Sequence, residues 1–137
     1  DVIDAVGESM MGLLSTTHWA HDLPIEANQR FVTAFREKYE GRYPSVYAAM
    51  AYDTVMAMDA AVRDAGGVED RQALLEALRN PSFESVRGEF EYGPNHYPIQ
   101  NYYVREVQVD EDGVLTNKLI GTVLERHQDA YVEDCRH

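Results

Sequence analysis

The alternation of apolar and polar residues between Pro24 and Gly67 predicts two helices with a break between them. In the first, Ala27, Phe31, Ala34, Phe35 and Lys38/Tyr39 recur at three- and four-residue steps, which lines one face of a helix. Gly41 can take the left-handed conformation that ends a helix, and Pro44 stops the helix from continuing. The second helix restarts after Ser45, whose hydroxyl suits an N-cap, and runs to Ala65 before Gly66-Gly67. Its first half, Val46 to Met58, is apolar almost all round. A helix of that kind is packed on several sides and needs more protein around it.

The flanking segments have other periods. Leu13, Leu14 and Ser15-Thr16-Thr17 suit a strand that leads into a functional loop, and Asp22-Leu23-Pro24 stops that strand and starts the helix. Glu69 to Arg79 predicts a short amphipathic helix with Leu74, Leu75 and Leu78 inward, ended by Asn80-Pro81. Val86 to Tyr92 alternates, with Val86, Gly88, Phe90 and Tyr92 on one face, as a half-buried strand does. Gly93-Pro94-Asn95 reads as a turn, Asn101 to Val109 as a strand, and Asp110 to Gly113 as a hairpin turn into a strand from Val114 to Thr122. A short helix is expected over Val123 to Val132. By itself this order says a mixed α/β or α+β domain.

Composition narrows the function classes. The 137 residues suffice for one ordinary domain, and an apolar fraction of 45% argues for a folded protein. A net charge of −12 with no basic patch denser than Arg36, Lys38 and Arg42 argues against nucleic acid as a partner. No apolar run approaches the roughly 20 residues that span a bilayer. Cys135 is the single cysteine, so it is either a free thiol in a tail or a partner for a thiol outside this sequence.

Candidate chemistry is sparse. No P-loop, G-x-G-x-x-G, G-x-S-x-G or H-E-x-x-H motif occurs. Cys135 has His137 beside it, but a terminus holds neither in reaction geometry. His18 and His21 lie three apart in a loop that precedes Pro24, and spacing supplies no third ligand; the plainer reading is histidines beside an aromatic, with His18 or Trp19 lining a ligand cleft. Asp53 falls inside the apolar part of the second helix, where a charge needs a partner. An ion pair or a cap on a neighbouring element is favoured there over ligand contact. Tyr47 sits in the first turn, where unpaired N–H groups and the positive dipole end face outward and can meet a carboxylate. The position equally suits a core residue, and the pattern leaves both open. Phe83, Phe90, Tyr92, Tyr102 and Tyr103 read as sheet packing, since the basic residues of a base-stacking platform are missing.

One resemblance joins these pieces. Asn28, Phe31, Val32, Phe35, Tyr39 and Pro44, followed by Ala51-Tyr52-Asp53 and Ala60-Ala61, resemble in order and spacing the last long helix pair of type I periplasmic solute-binding proteins, the leucine/isoleucine/valine-binding family of ABC importers. The similarity continues through Gly88-Glu89-Phe90, Pro94-Asn95-His96, Pro98-Ile99-Gln100 and Tyr103 to Val107. It implies an α/β fold: the C-terminal portion of a two-lobed binding protein, contributing helices and strands to both lobes. Residues 1–20 would be a strand of the C-terminal lobe and a crossing, 21–100 would belong to the N-terminal lobe, and 101–137 would form a crossing strand, hairpin and tail of the C-terminal lobe. A leader and the first part of the protein would precede Asp1.

The resemblance implies a function as well. The protein would capture a small carboxylate, a branched-chain amino acid or an aromatic acid, in the periplasm by lobe closure and present it to a membrane permease. It would use no cofactor and would not be an enzyme. Tyr47, Trp19 and His18 would line the cleft, with Tyr102 and Tyr103 on a crossing strand. The incomplete lobes would pair with the missing N-terminal part or with further copies of the chain. Two alternatives remain: a sensory ligand-binding domain of the same fold, and a metal-dependent enzyme using His18 and His21.

Overall fold

The computed structural model describes residues 2–89 and 91–135. A short helix, α1 (Val2–Val6), and a 3-10 turn lead into β1 (Leu14–Thr17). Three helices follow: α2 (Glu26–Lys38), α3 (Val46–Asp64) and α4 (Arg71–Arg79). The chain then returns through β2 (Glu91–Tyr92), β3 (Pro98–Val109) and β4 (Leu115–His127) and ends in a 3-10 turn at Val132–Asp134.

β3 is the spine of the sheet. All its pairings are antiparallel: β2 joins its first residues, β1 its middle, and β4 runs along the opposite edge from Val109↔Leu115 to Gln100↔His127. The hairpin turn is built by Asp110, whose carboxylate accepts the N–H groups of Asp112 and Val114. The β3–β4 ladder shifts register at Gln100/Tyr102, Tyr102/Tyr103 and Val104/Arg105. Bulges of this kind bend a strand and re-aim its side chains, and here they fall beside the aromatic and cationic residues of the candidate site.

The helix breaks follow the local chemistry. Gly41 adopts φ +82°, and its N–H closes on the carbonyl of Arg36. Ser45 Oγ caps α3 by accepting Ala48 N at 3.3 Å, and Asp70 caps α4 by accepting the N–H groups of Gln72 and Ala73. The core gathers where the β1–α2 connection meets both layers: Trp19, Ala20, Leu23, Phe31, Ala49, Val86 and Tyr103. Asn28 organises that connection from inside. Its side chain accepts the Trp19 indole N–H at 2.8 Å and donates to the carbonyls of Ala20, His21 and Leu23. Buried polar groups are tolerated when satisfied in this way.

Four expectations need correction. The strand expected over Val86 to Tyr92 exists only at Glu91–Tyr92, and Phe90 lies outside the described residues. The chain bends at Ser85 to Gly88, because Val86 N and Ser85 Oγ turn inward to Asp53 and Gly88 takes φ +89°. No helix forms over Val123 to Val132; β4 continues to His127, since the free edge of β3 offers it a ladder that the local pattern does not reveal. In α4, Leu75 and Leu78 are exposed and Leu74 is half-buried, so the leucine face is only partly covered. α3 is likewise covered on one side. Ala49, Asp53, Ala57, Ala60 and Ala61 face inward, whereas Tyr47, Val55, Met58 and Val62 form an exposed apolar stripe at helical spacing.

Candidate ligand site

The site is the junction where β1 ends, α3 begins and β3 passes beneath. His18 leaves β1 into the space between them. Its Nε2 lies 3.0 Å from Met50 Sδ on α3, and its ring meets Tyr102 of β3 edge-on with centroids 6.2 Å apart. Tyr102 in turn meets His127 of β4 edge-on at 5.7 Å. The sequence brings these together because β1 and β3 pair antiparallel with Thr17 opposite Tyr103, so the residue after Thr17, His18, comes beside the residue before Tyr103, Tyr102. Edge-to-face rings of this kind are favourable contacts with a polarised rim.

Beneath this aromatic layer lies a buried polar network. Asp53 Oδ2 accepts Arg87 Nε at 2.9 Å and Ser85 Oγ at 2.5 Å, and Oδ1 accepts Val86 N at 2.9 Å. The same guanidinium donates to Gln100 Oε1 at 2.8 Å, which ties α3 to β3 through the loop after α4. Asp53 is therefore a structural ion-pair partner, the role favoured from its place in the apolar helix. Its relative exposure of 2% makes the pairing obligatory, since an unpaired charge at that depth is strongly disfavoured.

The junction carries positive charge on an otherwise acidic protein. Burial pushes the His18 imidazolium below its ordinary range, and the nearby Arg87 and Arg105 guanidinium groups push it further the same way, so the ring is neutral at physiological pH. Arg87 is matched by Asp53. Arg105 is half-buried and reaches Ser15 Oγ at 3.2 Å; its Nε has no acceptor among the described residues, and burial lowers its proton affinity. Asp22, the carboxylate that most favours its charge, is turned to the backbone N–H of Leu119.

The expected site residues separate. His18 and Tyr102 stand together at the junction. Tyr47 is on the first turn of α3 and is 82% exposed. Trp19 is 1% exposed, with its indole N–H held by Asn28, and Tyr103 is 6% exposed in the same core cluster. Met50, Arg87, Gln100 and His127 were not anticipated as site residues; Met50 carried a signal in its place in the first turns of an unusually apolar helix, and Gln100 in the Pro98-Ile99-Gln100 motif of the resemblance. His18 and His21 go to different neighbours. His21 Nε2 lies 2.9 Å from Thr116 Oγ1, and the ring stacks on Tyr43 at 4.2 Å. Among the described residues no group of three or more His, Cys, Asp or Glu side chains is placed to hold a metal ion.

An α/β chain of this plan is a portion of a type I periplasmic binding protein, and solved structures of that class match it over most of its length. The family described as periplasmic binding protein matches residues 1–113, and the chain belongs to that family. It is 35% identical over 127 residues to the Leu/Ile/Val-binding protein homolog 6 of Brucella abortus, covering 88% of this chain and 31% of that protein. A solute-binding protein of an ABC transporter from R. palustris, solved in complex with benzoate, is 33% identical with a TM-score of 0.74 over 90% of this chain and 34% of its own. A leucine-binding protein from Thermotoga maritima is 30% identical with a TM-score of 0.66, over 88% and 34%. The chain thus spans about a third of the length of the proteins it matches. These are binding proteins rather than enzymes, which sets aside the metal-dependent enzyme reading of His18 and His21.

Proposed function

We propose that this chain is the C-terminal portion of an extracytoplasmic solute-binding component of an ABC importer, working in the periplasm and handing a small carboxylate to a membrane permease. Residues 1–20 and 101–137 belong to its C-terminal lobe and residues 21–100 to its N-terminal lobe. The cleft then opens at the junction of β1, α3 and β3. The observation that carries this reading is His18 held between Met50 and Tyr102, from elements assigned to different lobes. The start of α3, with its free N–H groups, and the excess charge of Arg105 give that place an anion-attracting field. The aromatic and thioether walls suit a flat or branched apolar body.

His18, Tyr102 and Tyr47 are the ligand-facing residues in this proposal, and Trp19 and Tyr103 support them from the core. Aromatic carboxylates are favoured over branched-chain amino acids, because His18 and Tyr102 bring two rings together at the junction, and the similar benzoate-bound protein supports that preference. Each lobe is incomplete here, so capture requires the remaining chain.

Calorimetry with benzoate and with leucine tests the reading, on the 137-residue chain and on a polypeptide extended to the length of the relatives. The extended protein should bind one of them at micromolar concentration and lose at least about tenfold on His18→Ala or Tyr102→Ala, near 1.4 kcal/mol. The short chain should bind neither tightly. Micromolar binding by the short chain, or indifference of the extended protein to both substitutions, would sink the proposal.

A further inference from the structure

We infer that Arg36, Tyr43, Asp110 and Asp112 form a reversible clasp between the helical unit and the β3–β4 hairpin, and that making or breaking it sets how the two units are oriented. The inference rests on the lobe assignment above, which places α2 and α3 in one lobe and the hairpin in the other.

The cluster is assembled from three places in the chain. Tyr43 lies in the turn between α2 and α3, and its hydroxyl donates to Asp110 Oδ2 at 2.8 Å across the gap to the hairpin turn. One aromatic contact is the His21 ring, stacked at 4.2 Å with an interplanar angle of 18°. Another is the Arg36 guanidinium, 4.3 Å from the Tyr43 ring centroid. Arg36 then bridges to Asp112 Oδ2 at 3.2 Å and fixes its own turn by donating to the Gly41 carbonyl at 3.1 Å. Both carboxylates sit on the hairpin turn, and their side-chain partners, Tyr43 and Arg36, sit on the helical unit. A purely local role would not require that division.

The strengths of the contacts also suit a clasp. Asp112 and Arg36 are solvent-accessible, so their attraction is weak and screened by salt. The Tyr43 hydrogen bond and the ring stack are half-buried. The Trp19 and Phe31 core reaches toward this side through the partly buried Phe35, Val46 and Leu119, and the polar cluster lies at its more accessible margin. His21 is also joined to β4 through Thr116, so the clasp lies beside the strand connection about which a hinge would turn.

The test is a distance distribution between spin labels at Arg71→Cys on α4 and Glu125→Cys on β4, both exposed and remote from the cluster, in a Cys135→Ser background of the 137-residue chain. The parent should give a narrow distribution. Tyr43→Phe with Arg36→Gln should broaden and displace it while circular dichroism stays native, and 1 M salt should do so partially. Arg36→Glu should broaden it, and adding Asp112→Arg should narrow it again. A distribution as narrow without the clasp as with it would overturn the inference, because the two units would then be one body. Failure of benzoate or leucine binding in the extended protein would count against the capture reading alone.

Discussion

Asp53 on α3 and Arg87 in the loop after α4, 34 residues apart in sequence, form a buried ion pair with Oδ2 and Nε at 2.9 Å. Both side chains are nearly enclosed, and Val86 N, Ser85 Oγ and Gln100 Oε1 are further partners. Removing one member of such a pair strands the other. Asp53→Ala is expected to destabilise the chain by about 3–5 kcal/mol, read as a lower urea midpoint. The double variant Asp53→Leu, Arg87→Met should recover much of that loss. A cost below about 1 kcal/mol for the single variant would show that the pair is not held as described.

Asn28 is the second place where one side chain carries several partners. Asn28→Ala leaves the Trp19 indole N–H without its acceptor and takes a donor from the carbonyls of Ala20, His21 and Leu23, of which Ala20 and Leu23 keep a backbone N–H. The stranded indole alone costs about 1–3 kcal/mol. Trp19 is the single tryptophan, so its fluorescence reports the change directly. A red-shifted emission in Asn28→Ala under native conditions is the expected result, and an unchanged spectrum and midpoint would contradict it.

Two histidines should make the fold acid-sensitive. Burial comes first in lowering the proton affinity of both His18 and His21 from their ordinary value of 6.5; for His21 the Asp22 carboxylate partly opposes it. The folded state therefore binds protons less readily than the unfolded chain at these sites. Their contribution is complete above pH 6.5 and is lost as pH falls from there through the lowered folded values. Urea midpoints should fall between pH 7.5 and 5.5. His18→Gln and His21→Gln should each flatten the slope in that window, and a slope identical to the parent in both would remove the histidines as its cause.

The exposed side of α3 predicts association. Tyr47, Val55, Met58 and Val62 present an apolar stripe that is continuous along the helix. The 137-residue chain should bind an apolar dye and sediment as larger species with rising concentration. Val55→Glu with Met58→Lys should abolish both effects with little change in urea midpoint, because neither residue is in the core. In the extended polypeptide the dye should not bind. Dye binding undiminished by the double variant would place the sticky surface elsewhere.

Much of this fold was readable in order along the chain. Gly41, Pro44 and Ser45 are punctuation with a local mechanism, and the helix boundaries fall beside them. Asp53 declared a need for a partner by its apolar neighbours. The partner itself was hidden, because Arg87 reaches it only after α4 and a bent loop bring it back. The strand expected through Val86 fails for the same reason, as backbone that alternates on paper is turned inward by a carboxylate from another helix. At the candidate site, His18 stands out in its own segment, whereas Tyr102 reads as sheet packing and gains a site role only through the family resemblance; the structure brings their rings together. Trp19 shares the segment of His18, but its indole turns the opposite way, toward Asn28, and no local pattern encodes that choice.

The sequence by itself determined the three helices α2, α3 and α4, where they stop, and that one of them is too apolar to be solvated all round, because these follow from periodicity and from residues with restricted backbones. Only the tertiary structure decided that β4 runs on to His127, that α3 is covered on one side alone, and that His18, Met50 and Tyr102 meet. Each of those depends on hydrogen-bond edges and faces supplied by distant parts of the chain, and no short stretch of residues carries that information.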